Sequence, residues 1–248
     1  MELEIVNPQP KYPPVTLIDP APYGYVQMSA AVDPPRGRIP FPGRSSQKTA
    51  LLTHLARLSR QLEGIEAVEK ATVYRAIVTP PLNGYAKEHA SRPARYDVVV
   101  LVETNSPDAV GEAEHAEPYT LMRQALEAAA EDLHVMTARC VKRIGDVDKT
   151  TDGLFLFNYF VAEDTEVALE LWDYLAGWYS VETGLDNSTL LEPIEKTDYA
   201  FVNHARWDYG APRFAFHQFS KPSFRSYVLA NLETNKTGSM PILYRLAR

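Results

Sequence analysis

The sequence predicts an α+β fold in which a βαββαβ unit occurs twice, the two sheets packed against each other as a barrel within one chain. Three observations carry this expectation. A segment recurs: residues 198–228 read strand, Trp207-Asp208, short loop, His217, then Pro222-x-Phe224 in an apolar-striped helix. About a hundred residues earlier, 96–126 has the same layout, with Glu103-Thr104, His115 and Pro118 in the matching places. The second observation is the order of periodic segments, which runs βαββαβ on each side of the turn at 145–153. The third is that strands are apolar on both parities: Leu154, Leu156 and Phe160 alternate with Phe155, Phe157 and Val161. A sheet apolar on both faces must have both covered.

The elements follow in order. Residues 1–20 carry five prolines and little periodicity, which predicts an extended arm. Residues 21–148 form the first unit and 149–248 the second. In the first, Tyr23–Val32 reads as a strand and 33–46 as a Pro/Gly-rich loop. Ser46 is the expected N-cap of a helix striped by Leu51, Leu55, Leu58 and Leu62 and ended at Gly64. Strands follow at 71–79 and 96–103, joined by a polar hairpin loop over 80–95. A helix at 117–132 and a strand at 133–144 complete the unit. In the second, a strand at 154–161 leads to a helix capped by Asp164 or Thr165 and striped by Val167, Leu171, Leu175 and Trp178. Strands at 188–194 and 198–207, a helix at 219–233 and a strand at 240–246 close the ferredoxin-like pattern.

Composition narrows the function classes. With 45% hydrophobic and 23% charged residues the chain is that of a globular protein. A formal charge of −7 argues against nucleic acid, because phosphate neutralisation needs a basic face. No apolar run approaches the roughly 18–20 residues of a membrane span, and the N-terminus lacks a signal peptide's regions, so a cytoplasmic protein without membrane contact is expected. Cys140 is the only cysteine and sits in a strand, where a half-buried packing role is expected. The six histidines show no His-x-His or His-x3-His pair, so no metal site is expected. No GxGxxG or Gly-x-Ser-x-Gly occurs, which argues against nucleotide cofactors and an acyl-transfer elbow.

The stretch YAFVNHARWDYGAPRFAFHQFSKPSFRSY, from Tyr199 to Tyr227, resembles the antibiotic-biosynthesis-monooxygenase group of the dimeric α/β-barrel superfamily. That group has a strand ending in Trp and an acid, a loop, then His and a Pro-containing helix start. The segment GLDNSTLLEPIE upstream is similar to its second strand, and Asn158 falls on the first strand, as in several cofactor-independent members. The resemblance covers 153–246 well and 65–145 loosely; residues 1–45 have no match. It implies a cofactor-independent monooxygenase-like enzyme acting on an aromatic or polyketide-like molecule in an apolar barrel cavity. Two other readings stay open: a non-catalytic carrier or stress-associated protein holding a hydrophobic ligand, and a haem enzyme. Haem-degrading members have a His well along the helix after the Trp strand, where this chain has Ser226 and Tyr227. The first repeat has Glu103 to Asn105 in place of the Trp, which favours the second unit as the site.

Candidate residues follow. Asn158, an amide in an apolar strand, either bonds a neighbouring strand or anchors a substrate carbonyl or enolate. Trp207 is either rim packing or an aromatic wall with an indole donor. His217 is a helix-start residue or the base that removes a phenolic or enolic proton. Tyr159, Trp178, His204 and His115 are lesser ligand contacts, with the facing of His204 undecided. Arg36, Arg38 and Arg44, with Lys87, Arg92 and Arg95, offer a basic rim for an acidic ligand. Association into a homo-oligomer through helices or strand edges stays open.

Overall fold

The computed structural model describes residues 2–37, 39–80, 82 and 84–247. The first unit consists of β1 (Gly24–Ala31), α1 (Ser46–Leu62), β2 (Val68–Val78), α2 (Gly84–His89), β3 (Val98–Thr104), α3 (Val110–His115), α4 (Glu117–Ala129) and β4 (Asp132–Gly145). The second consists of β5 (Leu154–Ala162), α5 (Thr165–Thr183), β6 (Ser188–Pro193), β7 (Phe201–Trp207), α6 (Ala211–Phe219), a π-helical segment (Phe224–Leu229), α7 (Ala230–Thr234) and β8 (Thr237–Leu246).

The strands form one closed barrel in the order β1-β3-β2-β8-β5-β7-β6-β4. Each unit contributes a ferredoxin-like sheet, β4-β1-β3-β2 and β8-β5-β7-β6, and the two face each other across the lumen. Closure comes from strands that outrun their own sheet. β4 pairs with β1 through residues 132–139 and with β6 through 138–145. β2 pairs with β8 through Tyr74 to Val78 against Leu243 to Leu246. Each strand therefore has two neighbours, and association through an open strand edge has no edge to use.

Period-two alternation decides what fills the barrel. Tyr25, Tyr74, Leu101, Met136, Phe155, Phe157, Tyr159, Val202, Ile242 and Tyr244 point inward and pack as one core. The opposite parity of the first sheet (Val26, Met28, Val98, Val100, Val102) packs under Leu55, Leu58 and Leu62 of α1 and Met122 and Leu126 of α4. In the second unit Phe160 and Phe201 lie under Leu171, Trp172, Leu175 and Trp178 of α5.

Several local expectations are corrected. The N-cap of α1 is Ser45, whose Oγ accepts from Lys48 N at 3.1 Å; its own N–H donates to Asp33 Oδ2 at 3.0 Å. The segment 80–95 contains α2, and α3 stands before α4. The helix expected over 219–233 is instead α6, a break near Lys221, and the π-helical segment running into α7. Pro212 caused the miss, because a proline in a first turn starts a helix as readily as it marks a loop. Among the described residues no helix is long and apolar enough to cross a membrane.

Candidate functional site

A cavity of about 670 Å³ lies between the outer face of the second sheet and its helices. The barrel lumen, where the sequence placed it, is filled by aromatic side chains instead. Leu156, Asn158 and Phe160 of β5, Asn203 and Trp207 of β7, and Ser239, Pro241 and Leu243 of β8 make the floor. Trp172, Leu175, Ala176 and Tyr179 of α5 form one wall, at helical spacing. Ala211, Phe214, Ala215, Gln218 and Phe219 of α6, with Phe224 and Val228 of the π-helical segment, form the other. Ala176, Ala211, Ala215 and Ser239 are too short to span the gap between helix and sheet, so space remains. The matching space in the first unit is closed by Leu55, Leu58, Tyr119 and Met122. A π-helical turn is uncommon and recurs at functional sites; here it supplies cavity wall.

Few polar groups reach this apolar space. Asn158 and Asn203 face each other directly across the β5–β7 ladder. Ser188 Oγ donates to Asn203 Oδ1, which orients that amide and leaves its Nδ2 as the donor on the cavity side. Asn158 Oδ1 is shielded from solvent and makes no hydrogen bond. Gln218 Nε2 donates to the Tyr179 hydroxyl at 3.4 Å, and burial pushes that phenol well above its usual pKa. The mouth is marked by Phe41 and Phe219, which line the cavity yet are 61% and 67% exposed. Pro40, Phe41 and Arg44 come from the loop before α1, so the first unit helps to build the second unit's cavity.

The candidate residues are thereby sorted. Asn158 and Trp207 share the cavity. Trp207 offers its ring only, because its indole N–H is donated to Thr183 Oγ1 at 3.2 Å. His217 lies outside the lining, its ring beside Tyr209 and within 3.4 Å of Arg213 Nε. His115 is exposed and bonds the Gly111 carbonyl of its own helix. Tyr159 and His204 point into the lumen. Tyr159 meets Gln27 and Ser29, and His204 bonds the Tyr74 hydroxyl and the Leu156 carbonyl. Burial lowers the His204 pKa to about 3, with the Lys149 charge adding to the shift. Trp178 is fully buried but does not line the cavity, donating to Ser223 Oγ at 3.0 Å and packed on Tyr12. Sequence reasoning passed over Asn203 and Tyr179. The signal for Asn203 was present, since it shares the parity of Trp207; Tyr179 lies outside the stripe that defines the buried face of α5.

No family model and no curated protein matches the sequence. Solved structures do. An "anthrone oxidase-like protein" superposes with a TM-score of 0.63 at 10% identity, over 91% of this chain and 92% of its own. A "putative monooxygenase" of Fusobacterium nucleatum superposes with a TM-score of 0.57 at 11% identity, over 93% of this chain and 94% of its own. One of the same description from Lactobacillus acidophilus gives 0.50 at 10% identity, over 91% and 93%. This chain has the dimeric α+β-barrel fold. Both halves of the tandem barrel lie on one polypeptide.

A haem in this tandem barrel would need an iron ligand at the cavity. The described lining residues include no His, Cys or Met, and the one phenol, Tyr179, is held protonated and engaged by Gln218. These residues do not fit a haem. Among the described residues no cluster of three or more His, Cys, Asp or Glu is arranged to hold a metal ion.

Proposed function

We propose that the cavity binds a flat, hydroxylated polycyclic aromatic molecule and that the protein oxygenates it as a cofactor-independent monooxygenase. The observation that carries this reading is the Asn158–Asn203 pair set in an otherwise apolar, aromatic-walled cavity, with Asn158 Oδ1 unpartnered. A shielded amide oxygen without a partner costs about 1–3 kcal/mol. A half-turn of that amide presents the oxygen to the cavity, where a ligand hydroxyl satisfies it.

The chemistry follows from what the lining lacks. The described lining residues include no carboxylate or imidazole to act as base, and His217 does not reach it. The substrate must therefore be acidic by itself, as an anthrone is through its phenolic tautomer. Asn203 Nδ2 and the Tyr179 hydroxyl donate to the developing anionic oxygen, an electrostatic role that is strong where water is excluded. The carbanion passes one electron to O2, the radical pair combines at carbon, and the hydroperoxide loses water to give the ketone. One anthrone and one O2 yield one anthraquinone and one water.

That the described lining residues include no carboxylate or imidazole equally favours a second reading, a carrier that holds the aromatic ligand unchanged. An oxygen electrode with dithranol separates the two. The enzyme consumes one O2 per anthrone faster than autoxidation, and Asn158→Leu loses at least about tenfold in rate, a single hydrogen bond's worth. A carrier quenches tryptophan fluorescence without oxygen uptake. No quenching and no uptake would sink both readings.

A further inference from the structure

Arg44 is the one charged side chain among the described residues that line the cavity. It has no ion pair or hydrogen bond with any described residue, whereas two other members of the basic rim, Arg92 and Arg95, are engaged; Arg38 lies outside the described residues. Arg92 pairs with Asp132 and Asp198, and Arg95 donates to the Pro35 carbonyl. The fold gives Arg44 no reason to be a cation. It immediately precedes Ser45, the N-cap of α1, where the helix dipole disfavours positive charge, and the first turn of α1 holds no acidic residue.

Its backbone is nevertheless held in place. Gly43 N donates to Asp33 O at 2.8 Å, Lys48 Nζ to Gly43 O at 3.2 Å, and Thr79 N to Pro40 O at 2.7 Å. Asp33 also holds Ser45 through its N–H and hydroxyl. The loop is therefore a fixed ledge that carries a guanidinium beside Phe41 at the mouth. On a chain of net charge −7, such a spot is where an anion can approach.

We infer that Arg44 is a specificity-determining residue that reads a carboxylate on the ligand, so the ligand class is an aromatic carboxylic acid. Its ring system lies on the Asn158–Asn203 floor and its acid group stays at the mouth. A planar guanidinium matches a carboxylate with two parallel hydrogen bonds, and leaving the acid at the rim spares it the desolvation that the apolar interior would impose. This inference rests on the cavity being the ligand site, as proposed above.

The test compares two dihydroxyanthraquinones of nearly equal shape by quenching of tryptophan fluorescence: rhein, which carries a carboxylate, and aloe-emodin, which carries a hydroxymethyl group instead. The expected result is that rhein binds about fivefold more tightly, the upper range for an exposed ion pair. The preference shrinks with added salt and disappears in Arg44→Gln, which weakens rhein far more than aloe-emodin. Arg44 is exposed and bonds no described residue, so the variant folds. Equal affinity for both probes, or a preference that survives Arg44→Gln, overturns the inference and leaves the cavity reading intact. Binding of neither probe overturns both.

Discussion

Asn158 and Asn203 occupy equivalent places on adjacent strands, yet their environments differ. Ser188 satisfies the Asn203 oxygen, while the Asn158 oxygen goes without a partner. A polar side chain kept at that cost is a poor device for stability. Replacing it by leucine removes the unsatisfied group and adds apolar contact on a floor already made of Leu156 and Phe160. Asn158→Leu is expected to raise stability by about 1 kcal/mol while weakening ligand binding. Thermal denaturation with and without the aromatic probe checks this, and a lowered midpoint without ligand would return Asn158 to a structural role. His217 teaches the complementary point: an imidazole at the right distance along the chain from the Trp strand is turned to Tyr209 and Arg213, because α6 presents Phe214 and Gln218 to the interior.

The N-terminal arm illustrates how elements position the site. Asn231 and Asn235, one turn apart beside the π-helical segment, hold the arm's backbone through paired bonds to Val6 and Glu4 at 2.7–3.0 Å. Tyr12 packs on Trp178 and Tyr227, and Pro13 lies over Gly177 of α5. The arm thus ties together the two helical walls of the cavity from outside. A methyl group at position 177 would sit 2.0 Å from the Pro13 carbonyl oxygen. Helix propensity alone favours Gly177→Ala by about 1 kcal/mol; the clash opposes it with roughly 1–3 kcal/mol. The expected result is net destabilisation with faster proteolysis within residues 2–20, read by denaturant midpoint and limited digestion. A stabilised variant with a protected arm would mean that the arm does not press on α5.

Across the whole molecule, the closed sheet encloses a lumen packed with aromatic side chains. His204 stacks on Phe157 with ring centroids 4.2 Å apart, and His134 lies against Tyr199 at 4.9 Å. Burial lowers His204 to about 3 and His134 to about 4, so both are neutral in the folded barrel at pH 7. In the unfolded chain both titrate near 6.5. Between pH 6.5 and about 4 the unfolded state therefore binds more protons, and stability falls as pH falls, by up to roughly 1.4 kcal/mol per pH unit for each imidazole. Urea midpoints across this window should drop with acid, and His134→Phe should flatten the drop, since its ring is held by aromatic packing. A slope unchanged by His134→Phe would mean that His134 is protonated in the folded state.

What was legible in the sequence was the repeated order of strands and helices and the need to bury both faces of each sheet. Hydrophobic periodicity is a local property, and it reports element type and facing without knowing the partner. Asn158 and Trp207 were legible for the same reason: a polar residue in an apolar strand and a tryptophan at a strand end are anomalies visible along the chain. The site itself was decided by tertiary structure. Only the closed barrel determines that odd-numbered β5 residues such as Tyr159 fill the lumen while even-numbered ones such as Asn158 face the helices. Only the packing of α5 and α6 over small side chains opens a cavity there, and only the path of a loop from the other repeat brings Arg44 to its mouth. Those facts depend on contacts between residues distant in sequence, about which local pattern carries no information.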